Sequence, residues 1–397
     1  MPELAPDDIG LADSALGWMG AYLHVPFCAR VCPYCDFAVV AGAEETAGRY
    51  VDALIAEIER SQDQGPVHAL HIGGGTPSRL SAQALVRMVD AVATRFGLTD
   101  NAEVSLEVNP EDWTPALAEG LAARFDRVSF GAQSFDPTVL DYLGRRHSPA
   151  DVERAVSLAR AAGFRSVNLD LIFGAPVESL HSWERTLASA LGLGPDHLSC
   201  YALTVERGTA LSRAVAAGSP APNPDAQADA YETACSMTAA AGLRRYEVSN
   251  FARPGHAARY NLLTWAGGDY YAFGNAAHRH RQGRRGWNLR RLDAYLVAIE
   301  AGNSPEAGRE FPDREAERLY LGLRRVAGAR IGEAAARLLA SPEGQRLTSA
   351  GVLAVQGERL VVLRPLLTDE VSRALLGPTA GSGSLSAGVS VALAPNR

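Results

Sequence analysis

Six times between residues 21 and 203 a short apolar run gives way to a longer amphipathic stretch, and this alternation limits the folds open to the chain. The apolar runs read as strands over 21–27, 67–73, 103–109, 127–131, 166–173 and 197–203. Helices are expected near 44–62, 81–96, 115–124, 150–162, 180–191 and 225–241. Repeated strand–helix units build a parallel sheet of the α/β class. Here the sheet is expected to curl into an incomplete (β/α)6 barrel. A flat doubly wound sheet is the alternative that periodicity does not separate from it.

The unusual residues fall where these strands end. Cys28, Cys32 and Cys35 follow the first strand, Gly73-Gly-Gly-Thr-Pro77 ends the second, and Glu107-Val-Asn109 ends the third. Gln133, Asp170 and Tyr201 close the next three. In β/α barrels the active site lies at the carboxyl ends of the strands, so all of these face one mouth. Three thiolates within eight residues can hold three irons of a four-iron cluster and leave the fourth iron open to a small molecule. A zinc site would want a further nitrogen or sulfur ligand from elsewhere in the chain. A disulfide needs an oxidising compartment, whereas the first twenty residues carry Glu3, Asp7, Asp8 and Asp13 and no basic residue, the reverse of a secretory signal. Cys200 and Cys235 each sit in an apolar strand or helix and read as structural. The glycine run bares backbone N–H and C=O groups to a ligand, though such runs also make plain turns.

The spacing Cys28-x3-Cys32-x2-Cys35, after Tyr22-Leu-His-Val-Pro-Phe, resembles the radical S-adenosylmethionine (SAM) superfamily. Within it the chain resembles the branch that holds the oxygen-independent coproporphyrinogen III dehydrogenases and the HemW-type heme chaperones. The resemblance covers about residues 20–375 and is most specific in the first half of that span. It implies a radical SAM barrel in which SAM chelates the open iron, and one electron from the cluster can cleave SAM to a 5'-deoxyadenosyl radical. Residue by residue, it implies Cys28, Cys32 and Cys35 as cluster ligands. It implies SAM contacts from Gly74, Gly75, Thr76, Glu107, Gln133, Arg145 and Asp170, with Tyr22 near the cluster. A carboxylate for ribose hydroxyls and an arginine for the methionine carboxylate make chemical sense. Taken singly, Glu107 also reads as an ordinary strand-end carboxylate, Arg145 as a solvated charge beside Arg146, and Tyr22 as a core aromatic.

Net charge is −7, from 38 basic and 45 acidic residues, so the whole chain has no basic footprint for nucleic acid. Every basic residue is arginine, which excludes a lysine Schiff base and a Walker-type phosphate loop. Residues 244–291 depart from the average, with ten arginines against Glu247 and Asp269 and with His256, His278, Tyr260, Trp265 and Trp287 interleaved. Such a stretch suits heme or another flat anionic tetrapyrrole, with a solvated face or single-stranded nucleic acid as alternatives. The heme chaperones carry His-Asn-x-x-Tyr-Trp here. This chain reads Tyr260-Asn-Leu-Leu-Thr264-Trp265, which leaves Tyr260, His256 and His278 as heme-ligand candidates.

The dehydrogenases carry a fourth cysteine two residues after the third, and this chain has Phe37 there. The resemblance therefore implies a heme chaperone that binds a 4Fe-4S cluster, SAM and heme. Its partners would be a heme-acceptor protein and an electron donor to the cluster. Coproporphyrinogen III oxidation and a radical SAM methylase or cyclopropanase are the alternatives, and no catalytic residue is assigned. The expected organisation is an N-terminal extension over 1–19, the barrel over 20–215 and an Arg- and aromatic-rich segment over 216–304. A small winged-helix-like domain over 305–376 and a disordered tail over 377–397 complete it. No run of about eighteen apolar residues occurs, so no transmembrane segment is expected and the cytoplasm is the default location.

Overall fold

The computed structural model describes residues 13–376, so the expected disordered tail and residues 1–12 lie outside it. Six strands lie side by side in chain order and all run parallel: β1 Met19–Val25, β2 Val67–Gly74, β3 Leu98–Val108, β4 Arg127–Gln133, β5 Ser166–Phe173 and β6 His197–Ala202. Between them run α1 Ala47–Arg60, α2 Ala82–Phe96, α3 Pro115–Leu121, α4 Pro137–Tyr142, α5 Pro149–Ala162 and α6 Leu180–Gly192. Several of these helices start on side-chain caps. Ser81 accepts from the Ala84 N–H at 3.2 Å, Ser179 from the Ser182 N–H at 3.1 Å, and Ser148 forms a capping box with Asp151. Each such cap contributes about 1 kcal/mol. The helices bury one apolar face, with Leu54, Ile58, Met88, Val92, Val152 and Val156 in the main core. Each of these side chains contributes roughly 1.5–3 kcal/mol.

Alternation along the strands decides what faces inward. On β4, Val128, Phe130 and Ala132 belong to the core under the helices, while Arg127, Ser129, Gly131 and Gln133 line a cavity. Asn168, Asp170 and Ile172 of β5 and His197, Ser199 and Tyr201 of β6 line the same cavity. An ordinary β/α barrel fills this interior with layers of Val, Ile and Leu. Here polar side chains line a cavity, and Tyr22, Ala69, Tyr260 and Leu263 pack together beside it.

Beyond β6 the chain adds α7 Ala210–Ala216, α8 Pro224–Ala240, β7 Arg244–Arg245, β8 Asn250–Ala252 and α9 Arg259–Trp265. Next come β9 Asp269–Phe273, β10 His278–Arg281, β11 Arg284–Asn288, α10 Leu292–Glu300 and β12 Glu306–Glu310. β9 is a seventh parallel strand, paired with β1 on the side away from β2. The sheet order is β12-β11-β10-β9-β1-β2-β3-β4-β5-β6-β8-β7, with the outer strands antiparallel. Much of the Arg- and aromatic-rich stretch is therefore sheet, continuous with the barrel. Its two end strands do not pair with each other among the described residues, so the sheet stays open. Helix α9 packs against β1 and β2.

The remaining elements are α11 Arg314–Gly322, β13 Ala329–Arg330, α12 Glu333–Ala340, α13 Pro342–Ser349, a hairpin of β14 Leu353–Gln356 and β15 Arg359–Val362, and α14 Thr368–Leu376. They enclose a core of their own that includes Leu319, Leu323, Leu338, Leu347 and Leu360. Glu317 of α11 pairs with Arg285 of β11, and Asp13 pairs with Arg330 and Arg359 at 2.9 and 3.0 Å. No helix among the described residues is long and apolar enough to cross a membrane.

Candidate functional site

Phe27–Cys28 pairs in parallel with Val40–Ala41 and closes a loop that carries the three clustered cysteines. Cys35 N–H donates to the Cys32 carbonyl at 3.1 Å, a tight turn between the second and third thiols. Pro33 is held from two sides. Its carbonyl accepts from Leu211 N–H of α7 at 2.7 Å, and its ring lies against Gly144, where a Cβ would come within 2.8 Å of Pro33 Cδ. All three thiols line one cavity of about 230 Å³. Burial pushes the Cys28 thiol up, and the Cys35 thiol up to about 12. Among the described residues no three His, Cys, Asp or Glu side chains converge on a single metal ion. A four-iron cluster does not ask that of them, because each thiolate takes its own iron.

The glycine turn at the end of β2 is sewn to this loop. Gly75 and Thr76 N–H groups donate to the Val25 and Phe27 carbonyls, each at 2.7 Å, and Thr76 Oγ1 lies 3.4 Å from Cys28 Sγ. A Cβ on Gly73 would sit 2.8 Å from the Glu107 carboxyl, and one on Gly75 would sit 2.8 Å from the backbone of Val25 and Phe27. Gly74 has φ +109 and its N–H donates to Glu107 Oε2 at 3.1 Å. Glu107 Oε1 faces His71 Nε2 at 3.1 Å, and His71 Nδ1 lies 2.9 Å from Ser105 Oγ. An ionised carboxylate only accepts, so Nε2 carries the proton. The His71 ring contacts Tyr22 and Tyr260, with centroids 6.0 and 5.4 Å away. Tyr22 stands behind the cavity wall, its hydroxyl 3.1 Å from His24 Nδ1.

At the end of β4, Gln133 sits in a bulge with φ +59, a conformation that costs a non-glycine residue energy. Arg145 Nη2 donates to Asn109 Oδ1 at 2.6 Å and to the Gly131 carbonyl at 3.1 Å, and its Nη1 lies 3.8 Å from Cys32 Sγ. Its buried Nε has no protein partner. Burial works against the Arg145 charge, but Tyr34, Cys32 and Glu111 hold its pKa above the usual value. Asp170 accepts from Ser129 Oγ and from Asn168 Nδ2, and burial pushes its carboxyl up. Gly74, Gly75, Thr76, Glu107, Gln133, Arg145 and Asp170 thus share one cavity with the cysteines. Sequence reasoning missed His71, Ser129 and Asn168. Their signal was polar residues at every second position of strands with an apolar opposite face.

The heme-ligand candidates are not brought together. Tyr260 is buried deep in the barrel, and burial pushes its phenol well above the usual range. His256 Nδ1 lies 3.3 Å from Ser166 Oγ, at the start of β5 and the opposite end of the barrel from the cysteines. His278 stacks on Trp287, and burial pushes its pKa down to about 4. The arginines of 244–291 disperse as well. Arg279 pairs with Glu306, Arg281 with Asp63, Arg285 with Glu310 and Glu317, and Arg291 with Asp293.

Residues 22–190 match the family model of the radical SAM superfamily. Over 384 residues, which is 93% of this chain and 97% of the relative, the sequence is 40% identical to the heme chaperone HemW of Mycobacterium tuberculosis. The chain belongs to the HemW family. The Escherichia coli heme chaperone HemW is 38% identical over 66% of this chain and 69% of its own length. Among solved structures, coproporphyrinogen III oxidase (HemN) from Escherichia coli, a radical SAM enzyme, matches with a TM-score of 0.76 over 92% of both chains. At 21% identity this match shows a common fold. Radical SAM membership brings a 4Fe-4S cluster and SAM, and the cavity of this HemW family member fits them. It offers three thiols on one loop, a bared glycine backbone, the unpartnered Arg145 Nε and the carboxylates of Glu107 and Asp170.

Proposed function

We propose that this member of the HemW family is a heme chaperone. It holds a 4Fe-4S cluster on Cys28, Cys32 and Cys35. It holds SAM against Gly74, Gly75, Thr76, Glu107, Gln133, Arg145 and Asp170, with Tyr22 behind them. It carries heme, or a related anionic tetrapyrrole, to an acceptor protein. Identity of 40% over nearly the whole length of the M. tuberculosis chaperone carries this reading. An electron donor to the cluster and a cytoplasmic location belong to it. So does a winged-helix-like last domain, which its separate core supports.

When bound, the cluster supplies one-electron chemistry at SAM. The chain's own residues prepare the place. Glu107 is fixed from both sides by Gly74 N–H and His71, so it meets a ligand in one orientation. Arg145 sets a buried positive charge between Cys32 and the Gly131 carbonyl. Asp170 accepts from the Ser129 hydroxyl and the Asn168 amide, which fix its carboxyl in the cavity wall. Coproporphyrinogen III oxidation is not favoured, because Phe37 occupies the fourth-cysteine position and the likeness to HemN is one of fold.

The test is anaerobic reconstitution followed by hemin titration and an assay with SAM, a reductant and coproporphyrinogen III. We expect one cluster per chain, lost in Cys32→Ala, together with hemin binding and no porphyrinogen turnover. Protoporphyrinogen formation would replace the chaperone reading with the oxidase one.

A further inference from the structure

The cavity opens at the carboxyl ends of the barrel strands, and its mouth carries groups that the cluster and SAM leave unused. Val31 on the cysteine loop is 52% exposed, and Phe37 and Val39 of the same loop line the cavity beside it. Arg30 and Arg146 line it too, and neither has an ion-pair or hydrogen-bond partner among the described residues. Arg30 lies beside Gly144, which is two residues before Arg146 in the chain. Arg290 reaches the same loop and spends one N–H on the Asp36 carbonyl oxygen at 2.9 Å. The acids nearby are the exposed Asp36 and Glu111, and Glu111 is engaged by His147 and Arg145. The mouth is an apolar shelf rimmed by guanidinium groups without carboxylate partners.

We propose that the tetrapyrrole docks flat across this mouth, its macrocycle on Val31, Phe37 and Val39 and its two propionates on Arg30 and Arg146. The inference rests on the heme-chaperone reading and gives its cargo a place. Arginine is suited to carboxylates because its planar fork donates two parallel hydrogen bonds. An apolar shelf with a few placed charges is the usual make-up of a cofactor site. His256 and His278 do not line the cavity, and Tyr260 lies deep within it, so the iron takes no ligand from these three. A carrier that grips the edge and face of its cargo, and leaves the iron free, can pass that cargo on without breaking a metal bond.

The experiment is hemin titration of the full-length, cluster-loaded protein, followed by absorbance. An Arg30→Gln/Arg146→Gln double variant and a Val31→Asp variant should each weaken hemin binding by about tenfold or more, since each removes or opposes a charge-assisted contact. His256→Ala, His278→Phe and Arg284→Gln should bind hemin as the parent does. Protoporphyrin IX dimethyl ester, which lacks the carboxylates, should bind the parent no better than hemin binds the double variant. Parent-like affinity in both mouth variants overturns the docking site, as does loss of binding in either histidine variant. If the parent itself binds no hemin while holding its cluster and SAM, the chaperone reading falls and this inference falls with it. Iron content of each variant shows that it is folded and loaded.

Discussion

Gly144 holds the cysteine loop in place by being small. Its φ of +68 and the 2.8 Å clearance to Pro33 Cδ leave no room for a methyl group. Gly144→Ala should therefore displace the Cys32–Cys35 turn and lower the iron retained on anaerobic reconstitution, while far-UV circular dichroism stays unchanged. Full iron content would show that Pro33 can give way. His71 acts on the next layer. Removing its hydrogen bond to the Glu107 carboxylate, at about 1.5–3 kcal/mol for a bond to a charged group, should weaken SAM roughly tenfold or more in His71→Phe. His71→Asn, which still donates, should recover part of the loss. In a Glu107→Ala background His71→Phe should cost nothing further, as equilibrium dialysis with S-adenosylhomocysteine would show. The cysteine loop stood out in the sequence by its spacing and its flanking residues together. His71 was not, because its meaning lies in a partner 36 residues along the chain.

Whole elements are tied by single side chains in the same way. Glu57 of α1 accepts from Gly274 N–H, the Tyr295 hydroxyl and Asn288 Nδ2, at 2.8, 2.7 and 2.7 Å, and so joins α1 to the end of β9, to β11 and to α10. Burial, against these three bonds, pushes its carboxyl up to about 7. The folded value lies above the unfolded one, so the contribution is full at low pH and is lost as pH rises through about 7. Between pH 5 and 8 the parent should lose stability relative to Glu57→Gln, on the order of 3 kcal/mol, read from melting temperatures of the two proteins. Parallel pH profiles would refute this. The six strands and their crossover helices were readable because each keeps one period over its whole length. β9 was not, because Asp269-Tyr-Tyr-Ala-Phe273 is short, lies among glycines and turns, and becomes a parallel strand only by pairing with β1 at the other end of the chain. For the same reason the arginines of 244–291 looked like one patch. Sequence shows charges along a line, while their acids arrive from Asp63, Glu306, Glu310 and Glu317.

At the scale of the whole molecule, the last helical unit is fastened to the sheet by buried charge. Glu317 sits between Arg285 and His280. Glu317→Leu would leave both facing an apolar side chain, at a cost of about 3 kcal/mol. Hydrogen exchange should then quicken over 278–288 and 314–322 and stay slow in β2 to β5. Uniform protection would mean that the apolar contacts alone hold the unit. The sheet itself has a mechanical property that follows from its unpaired ends. A closed hoop of hydrogen bonds can widen only by breaking some of them. A cut hoop widens by bending, which costs far less, and this one surrounds a cavity flanked on one side by α9, whose Tyr260 and Leu263 pack with Tyr22 and Ala69. Its girth is set by what it contains, as a sleeve takes the shape of the arm inside.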